Sequence, residues 1–366
     1  MRDGTLMGRL TIERCSGVLG LQDGGRTGYQ RYGLSGSGAM DRLAMATANA
    51  LVGNRADAPA LELGLGGGRF VMAAGRGWFA VAGAPCTIRI DGAPMAGHRT
   101  VMLEMGAELV IDPPREGSFV YLAVAGGFLA DPVLGSVALH LRAGIGGTGG
   151  RAFQPGDNLR FTASDGPTQS DRTVDAVALD RDAAIRVMLG PQADHFTKAG
   201  IDTLLGSTFT VSHRADRMGY QLEGTAIGHG AGGYNIVSDA TVAGSIQVPG
   251  NGLPIVLMAD RQTTGGYPKI GTVISADLRR LAQRRPGERV RFAAVDLTHA
   301  REAAFGQARE FAGLAGRIRV LNGIDVARLY GANLAGQAVD ALAVDAAAVD
   351  GLDVDALGSE VPRDSA

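Results

Sequence analysis

The sequence predicts a mainly β protein with a few helices, a barrel or sandwich rather than an alternating β-α array, and three observations carry that expectation. Apolar runs of about four to eight residues recur between Gly, Pro and Asp clusters, the rhythm of short strands joined by turns. They are Arg69–Ala74, Trp78–Ala84, Cys86–Gly92, Glu108–Pro114 and Phe119–Gly127. Glycine, at 56 of 366 residues, supplies the turns. Helical periodicity is confined to three stretches. In Met40–Gly53, Leu43, Ala46, Ala50 and Leu51 share a face and Gly53 is a stop signal. In Ile274–Gly287, Ser275 is a candidate N-cap ahead of Leu278, Leu281 and Ala282. The third stretch spans residues 298–316.

Two phrases repeat. Pro155-Gly156-Asp157-Asn158-Leu159-Arg160-Phe161 and Pro286-Gly287-Glu288-Arg289-Val290-Arg291-Phe292 each read as a Pro-Gly turn, an acid and a strand ending in Arg-Phe. Each closes a β-rich block, and the polar stretch Thr162–Asp175 between the blocks reads as a linker. The Ala/Val/Asp-rich segment Ala338–Glu360 reads as part of a mobile acidic tail.

Composition excludes several classes. With 45% hydrophobic and 20% charged residues and a net charge of −2, the chain is an ordinary globular one with no implied nucleic-acid partner. No stretch reaches the roughly 18 apolar residues of a membrane span, and the N-terminus lacks a signal-peptide core. Cys15 and Cys86 form neither a disulfide framework nor a metal-ligand spacing, so reduced thiols in a cytoplasmic setting are expected. The histidines at 98, 140, 195, 213, 229 and 299 are scattered singly, so no metal is expected, and no nucleophile elbow is present. Only two lysines occur, Lys198 and Lys269.

Three polar clusters interrupt the apolar rhythm. Leu21–Asp41 interleaves glycines with Gln22, Asp23, Arg26, Tyr29 and Arg31, so its backbone can approach a ligand closely, yet it matches no phosphate or dinucleotide loop. Ala215–Gly224 alternates Arg217, Tyr220 and Glu223 with smaller residues, which is also the pattern of a strand with one polar face. Pro254–Lys269 passes from an apolar strand into Asp260-Arg261-Gln262-Thr263-Thr264-Gly265-Gly266-Tyr267-Pro268-Lys269. Asp260 and Lys269 suit a base and a charge stabiliser, Arg261 and Gln262 readers of oxygen and amide, and Tyr267 a flat wall for a planar ligand. An exposed polar turn fits the same residues equally well.

Taken together these stretches resemble one family. Gln22–Asp41, "QDGGRTGYQRYGLSGSGAMD", resembles the opening motif of the biotin-dependent carboxyltransferase family, also called allophanate hydrolase subunit 2, which includes the 5-oxoprolinase C subunit. Ala48–Asn54, Leu61–Phe70, Tyr121–Phe128, Gly190–Phe196, Asp216–Gly224, Ser245–Gln283 and Pro286–Phe292 follow in that family's order, over about residues 9–300. The resemblance implies two cyclophilin-like β-barrel subdomains, at 8–165 and 176–316, with a tail at 317–366. It departs at Gly135-Ser136-Val137-Ala138-Leu139, where relatives carry an arginine and hydroxyl residues, and at Leu19-Gly20-Leu21, where they carry threonines.

The implied function is that of the C subunit of an ATP-dependent 5-oxoprolinase, opening 5-oxo-L-proline to L-glutamate with two partners, a B subunit in close hetero-oligomer and an A subunit of LamB/YcsF type. ATP is then expected at a site shared with the B subunit. One alternative is a carboxyltransferase moving a carboxyl group from carboxybiotin, with biotin carried by another protein, since neither lysine has a biotinylation context. Another is a non-catalytic regulator paired with a kinase inhibitor. The catalytic candidates are Asp260, Lys269 and Arg261. The candidate substrate contacts are Gln262, Thr263, Thr264, Tyr267, Gln247, Arg217, Gln22, Asp23, Arg26 and Tyr29.

Overall fold

The computed structural model describes residues 7–163 and 170–321. The expected mobile tail lies, beyond Leu321, outside the described residues. The described chain is mainly β with four α-helices, as expected. A first seven-stranded sheet runs in the order Phe128–Leu129, Asn158–Thr162, Met7–Cys15, Gly68–Ala74, Glu108–Ile111, Ile88–Ile90, Ala93–Met95. A second runs Val18–Gln22, Ala60–Gly64, Phe119–Val124, Gly77–Gly83, Arg99–Leu103, Arg172–Thr173, Arg319–Val320. An eight-stranded third sheet draws all its strands from residues 185–294.

Alternation explains how the layers meet. In Met7–Cys15, Leu10 and Ile12 face inward between exposed neighbours and pack with Phe70, Phe79 and Phe161 in a core between the first two sheets. Phe119–Val124 is buried along its whole length because its two faces serve different cores. Val120, Leu122 and Val124 join that first core, whereas Phe119, Tyr121 and Ala123 join a second one with Val187, Phe209, Ile246 and Ile270 of the third sheet. Helix α1, Arg42–Leu51, lies in the second core through Ala44, Met45 and Ala48, with Asp41 capping it by accepting from Ala44 N at 3.1 Å.

The repeated phrase closes the same turn twice. Gly156 and Gly287 take φ of +93° and +86°, a conformation that favours glycine. Ile12 bonds both residues of one turn, Ile12 N to Asp157 O at 2.9 Å and Gly156 N to Ile12 O at 2.7 Å. Val211 takes the place of Ile12 in the other, with Val211 N to Glu288 O at 2.9 Å and Gly287 N to Val211 O at 2.8 Å. Each acid is gripped by an arginine, Asp157 by Arg151 and Glu288 by Arg181, both at 2.6 Å. The likeness therefore extends from residue type to hydrogen-bond pattern.

Three local expectations are revised. The stretch 274–287 forms a 3-10 turn at Ser275–Asp277 and a five-residue helix, α3 of the four, at Leu278–Ala282. Just past its end the Gln283 side chain holds the backbone of Ser118 and Phe119. Helix Lys198–Gly206, capped by Thr197 at 2.9 Å from Gly200 N, has glycines at its third and last positions and too short an apolar pattern to stand out in the sequence. Within the expected linker, Arg172–Thr173 is a short strand lying between Arg99–Leu103 and the sheet's edge strand, Arg319–Val320. The third expected helix extends over Leu297–Arg317.

Candidate functional site

The apolar strand Ile255–Leu257 ends at a buried charge network. Asp260, 4% exposed, accepts from Ser37 Oγ at 2.5 Å and from Arg217 Nε and Nη2, both at 2.9 Å. Arg217 continues to Glu62 at 2.5 Å and to the Gly38 carbonyl at 2.8 Å. Glu62 in turn accepts from Tyr121 Oη at 2.7 Å and Met40 N at 2.9 Å. Burial alone would lower the Arg217 pKa, but Glu62 and Asp260 outweigh it and hold the guanidinium more firmly charged than usual. Both Asp260 oxygens are occupied, which suits a carboxylate that orients the Ser37–Gly38 turn and Arg217.

The glycine-rich segment bends over this network. Asp23 organises it, accepting from Gly25 N at 2.8 Å, Ser136 Oγ at 2.6 Å and Val137 N at 2.8 Å. Arg26, 2% exposed, donates Nε to Val133 O at 2.9 Å and Nη2 to Ser136 O at 3.2 Å and Ala138 O at 2.9 Å. Gln22 Nε2 donates to Leu139 O at 3.1 Å, and Ser37 Oγ lies at the same distance from that oxygen. Segment 136–139 thus serves this loop chiefly through backbone carbonyls, so the apolar side chains found there are compatible with its role. His140 sits beside Ser35, 3.1 Å from its Oγ, and its Nδ1 accepts from Ala143 N at 3.3 Å, an arrangement that fixes the neutral ring with its proton on Nε2.

Beside the loop lies a cavity of about 820 Å³, in the range of small-molecule sites. Its walls are the glycine loop, α1, Met258–Arg261, the turn at Ser275, and Gln307 and Phe311 of the helix Leu297–Arg317. Four arginines line it, Arg26, Arg42, Arg261 and Arg279, against a single acidic residue, Asp57. Arg279 is paired with Asp41 at 3.3 Å, and Asp57 with Arg55 at 3.1 Å. Among the described residues Arg26, Arg42 and Arg261 have no carboxylate within ion-pair distance. Burial lowers the pKa of both Arg26 and Arg261, the former partly offset by Asp23 and Asp260.

A second group stands apart from the cavity lining. Lys269, 1% exposed, donates to Asp239 at 2.8 Å, and Gln192 Nε2 reaches the same oxygen at 2.9 Å. Gln262 Nε2 donates to Gln247 Oε1 at 2.9 Å, while Gln247 Nε2 is buried without an acceptor. Gly265 leaves room beside it, since a Cβ there would come within 2.2 Å of Gln247 Nε2 and push that side chain away. Thr264–Gly265 pairs with Asp239–Ala240, Thr263 is buried, and Tyr267 is 41% exposed. The two groups meet through Gln30, whose Oε1 accepts from Arg261 at 3.0 Å and whose Nε2 donates to Thr241 O at 2.7 Å. Tyr29 is half-buried 6.4 Å from the Tyr32 ring.

Of the residues chosen from sequence, Arg26 and Arg261 line the cavity and Asp260 and Arg217 form the network behind it. Gln22 and Asp23 support its loop, and Lys269, Gln262, Gln247, Thr263, Thr264 and Tyr267 belong to the second group. Glu62, Ser37, Arg42 and Arg279 were not chosen. The signal for Glu62 was a lone acid between Leu61 and Leu63 in an otherwise apolar strand. Among the described residues no group of three or more His, Cys, Asp or Glu is arranged to hold a metal ion, and no helix is long and apolar enough to cross a membrane.

The described chain is thus two β-sheet systems joined by a polar seam, and comparison with known proteins supplies its family. The family model "Carboxyltransferase domain, subdomain A and B" matches residues 32–294, and the chain belongs to that family. It is 40% identical to the C subunit of 5-oxoprolinase from Escherichia coli over 310 residues, covering 84% of this chain and 98% of that protein. The Haemophilus influenzae protein of the same name is 39% identical, covering 76% of this chain and 89% of its own length. The crystal structure of Kluyveromyces lactis urea carboxylase superposes with a TM-score of 0.76 at 25% identity, covering 85% of this chain but 29% of that one.

Proposed function

We propose that this chain is the C subunit of an ATP-dependent 5-oxoprolinase, a hydrolase component that opens 5-oxo-L-proline to L-glutamate only together with its two partners, the A-type and B-type chains. The observation that carries the reading is the similarity to the 5-oxoprolinase C subunit over 98% of the Escherichia coli protein. The urea carboxylase relative matches through a small part of a much longer chain. The two sheet systems, one drawn from residues 7–173 and 319–320 and the other from 185–294, are proposed to be the two subdomains of the family.

Opening a lactam requires a better electrophile than a resting amide, and ATP supplies that by phosphorylating the lactam oxygen. The arginine-lined cavity fits a phosphoryl oxygen, while the absence of a phosphate-loop motif in the sequence points to a nucleotide site completed by the B-type partner. In this chain Arg261 and Arg26 neutralise charge on oxygen, and Asp260 with Arg217 holds the Ser37–Gly38 turn against the cavity. Gln247 and Gln262 read amide groups, with Lys269 and Asp239 fixing the strand that carries them; Thr263, Thr264 and Tyr267 border this group. A cytoplasmic location is part of the proposal, supported by two free cysteines, one of them, Cys86, with its thiol pushed up to about 11 by burial and the nearby Asp112.

The test is reconstitution of the chain with both partners and an assay of ATP-dependent glutamate formation from 5-oxoproline. Turnover that requires all three chains is expected. A complete set of folded chains without turnover overturns the reading.

A further inference from the structure

The long helix Leu297–Arg317 is fastened at its ends and barely held between them. Of its 21 residues Leu314 alone is buried. Leu314 belongs to neither of the two main cores. It packs with Leu43 and Ala46 of α1 in a small third cluster, with Ala50, Val177 and Phe311 at its margin. Much of the inner face rests against space rather than packed side chains. Gln307 and Phe311 line the cavity of about 820 Å³, and Ala303, Gly306, Gln307 and Glu310 line a second one of about 480 Å³. Gln307 Nε2 reaches the Ser275 carbonyl only at 3.5 Å, a long hydrogen bond. Gly306, Gly313 and Gly316 lower the intrinsic stability of the helix, and no tight fit calls for the last two, since a Cβ at either would meet no atom within 4 Å.

The two ends are held unequally. Upstream, Val295 N bonds Val187 O of the third sheet at 2.8 Å, and Asp296 caps the helix by accepting from His299 N at 2.9 Å. Downstream, the exposed pair Arg319–Val320 is held by a two-residue edge pairing with Arg172–Thr173, by Leu321 N to Asp171 O at 2.8 Å, and by the exposed ion pair of Arg319 with Asp175. The opposite wall of the cavity is fixed, because Ser37–Gly38 and Asp260 are tied through Arg217 into the buried charge network.

We infer that helix Leu297–Arg317 is the movable wall of the cavity: it swings on its Asp296 end, lifts Leu314 off α1, and opens the space that Gln307 and Phe311 close when it is down. Few buried contacts place a segment at the low end of local stability, where such walls are found. A ligand touching Gln307 or Phe311 is then enclosed after it enters, so its residence follows the closing of the helix. The inference concerns access to the cavity and needs neither the partner chains nor turnover.

Thiol labelling of the full chain tests it. In a background carrying Cys15→Ser and Cys86→Ser, one cysteine is introduced by Ala46→Cys, beneath Leu314, or by Ala48→Cys, on the same helix but in the second core. Ala46 and Ala48 are 1% and 0% exposed, so either thiol reacts only when something opens. With excess maleimide under native conditions, the thiol at 46 is expected to react about a hundredfold or more faster than that at 48, since the first needs only the helix to lift. Ala123→Cys, also in the second core, is a second slow control. Leu314→Ala speeds labelling at 46 about tenfold or more and leaves the controls within about twofold. An independent readout places spin labels at Arg55→Cys and Arg309→Cys, both exposed, where a second, longer distance enriched by Leu314→Ala is expected. Equal labelling at 46 and the controls, equal acceleration of all by Leu314→Ala, no labelling at 46 without denaturant, or one spin-label distance that Leu314→Ala leaves unchanged overturns the inference.

Discussion

The phrase Arg-x-Gly-Tyr-Gln occurs twice, at Arg26–Gln30 and Arg217–Gln221, and the protein uses it in opposite ways. In the second copy Gly219–Glu223 is a strand paired with Ile255–Leu257, Tyr220 is buried with its hydroxyl on Ala282 O at 2.7 Å, and Arg217 is held by two carboxylates. In the first copy the chain is a loop: Gly28 takes φ of +90°, Tyr29 is half-buried, and Arg26 finds carbonyls but no carboxylate. Context decides. Gln221-Leu222-Glu223 continues the alternation of a strand, whereas Asp23-Gly24-Gly25 ahead of Arg26 opens the backbone to turn conformations. The lesson concerns charge more than shape: the same arginine is clamped by two carboxylates in one copy and by backbone carbonyls alone in the other.

The comparison is open to attack at several points. The largest effect is expected at the copy clamped by carboxylates. Arg217→Met leaves Glu62 and Asp260 facing each other without a cation, costing about 3–5 kcal/mol in urea unfolding. Arg26→Met deprives neutral carbonyls of donors and should cost about 1–3 kcal/mol. Equal losses would erase the distinction between the two copies.

Next comes the second polar group. Lys269→Met keeps the bulk of a buried side chain and frees an Asp239 that is already half exposed, so little stability is lost. Turnover of the reconstituted enzyme is nonetheless expected to fall tenfold or more. A variant that unfolds while each folded molecule stays fully active would make the group purely structural.

The repeated turns provide a smaller, symmetric test. Gly156→Ala and Gly287→Ala meet no neighbouring atom within 4 Å but place a side chain at positive φ. Each should cost about 1–2 kcal/mol, and matched losses in denaturant midpoint would support the equivalence of the two turns.

The smallest effect is a pH dependence. Burial, aided by Arg217 and Arg26 and opposed by Asp260, holds His140 below its ordinary value of 6.5. The unfolded chain therefore binds the proton more readily, so this contribution is intact above pH 6.5 and is lost as pH falls through the lower folded value. His140→Gln should flatten the decline in urea midpoint between about pH 7 and 5. An unchanged slope would assign the decline to other groups.

Much of the fold was legible because burial writes itself into local pattern: the strands around Phe70, Phe79 and Tyr121, helix α1 with its Gly53 stop, and the twin Pro-Gly turns. The site was legible in part. Asp260, Arg261, Arg217 and Arg26 stand out as polar residues in unusual density, but their partners Glu62, Ser37 and Tyr121 come from segments far away in sequence, and no local periodicity announces such meetings. Arg42 and Arg279 were hidden for a different reason. Each sits in a helix or at its start, where an arginine is unremarkable until the cavity between those helices is seen.

The strand Phe119–Val124 has a consequence of its own. Because its alternate side chains belong to different cores, it acts as a party wall rather than an outer one: stripping away either neighbour would wet one face of the remaining structure. Neither half can come apart and leave the other intact, so loss of structure on one side is transmitted to the other. The chain is therefore expected to melt as one cooperative body despite being assembled from two sheet systems.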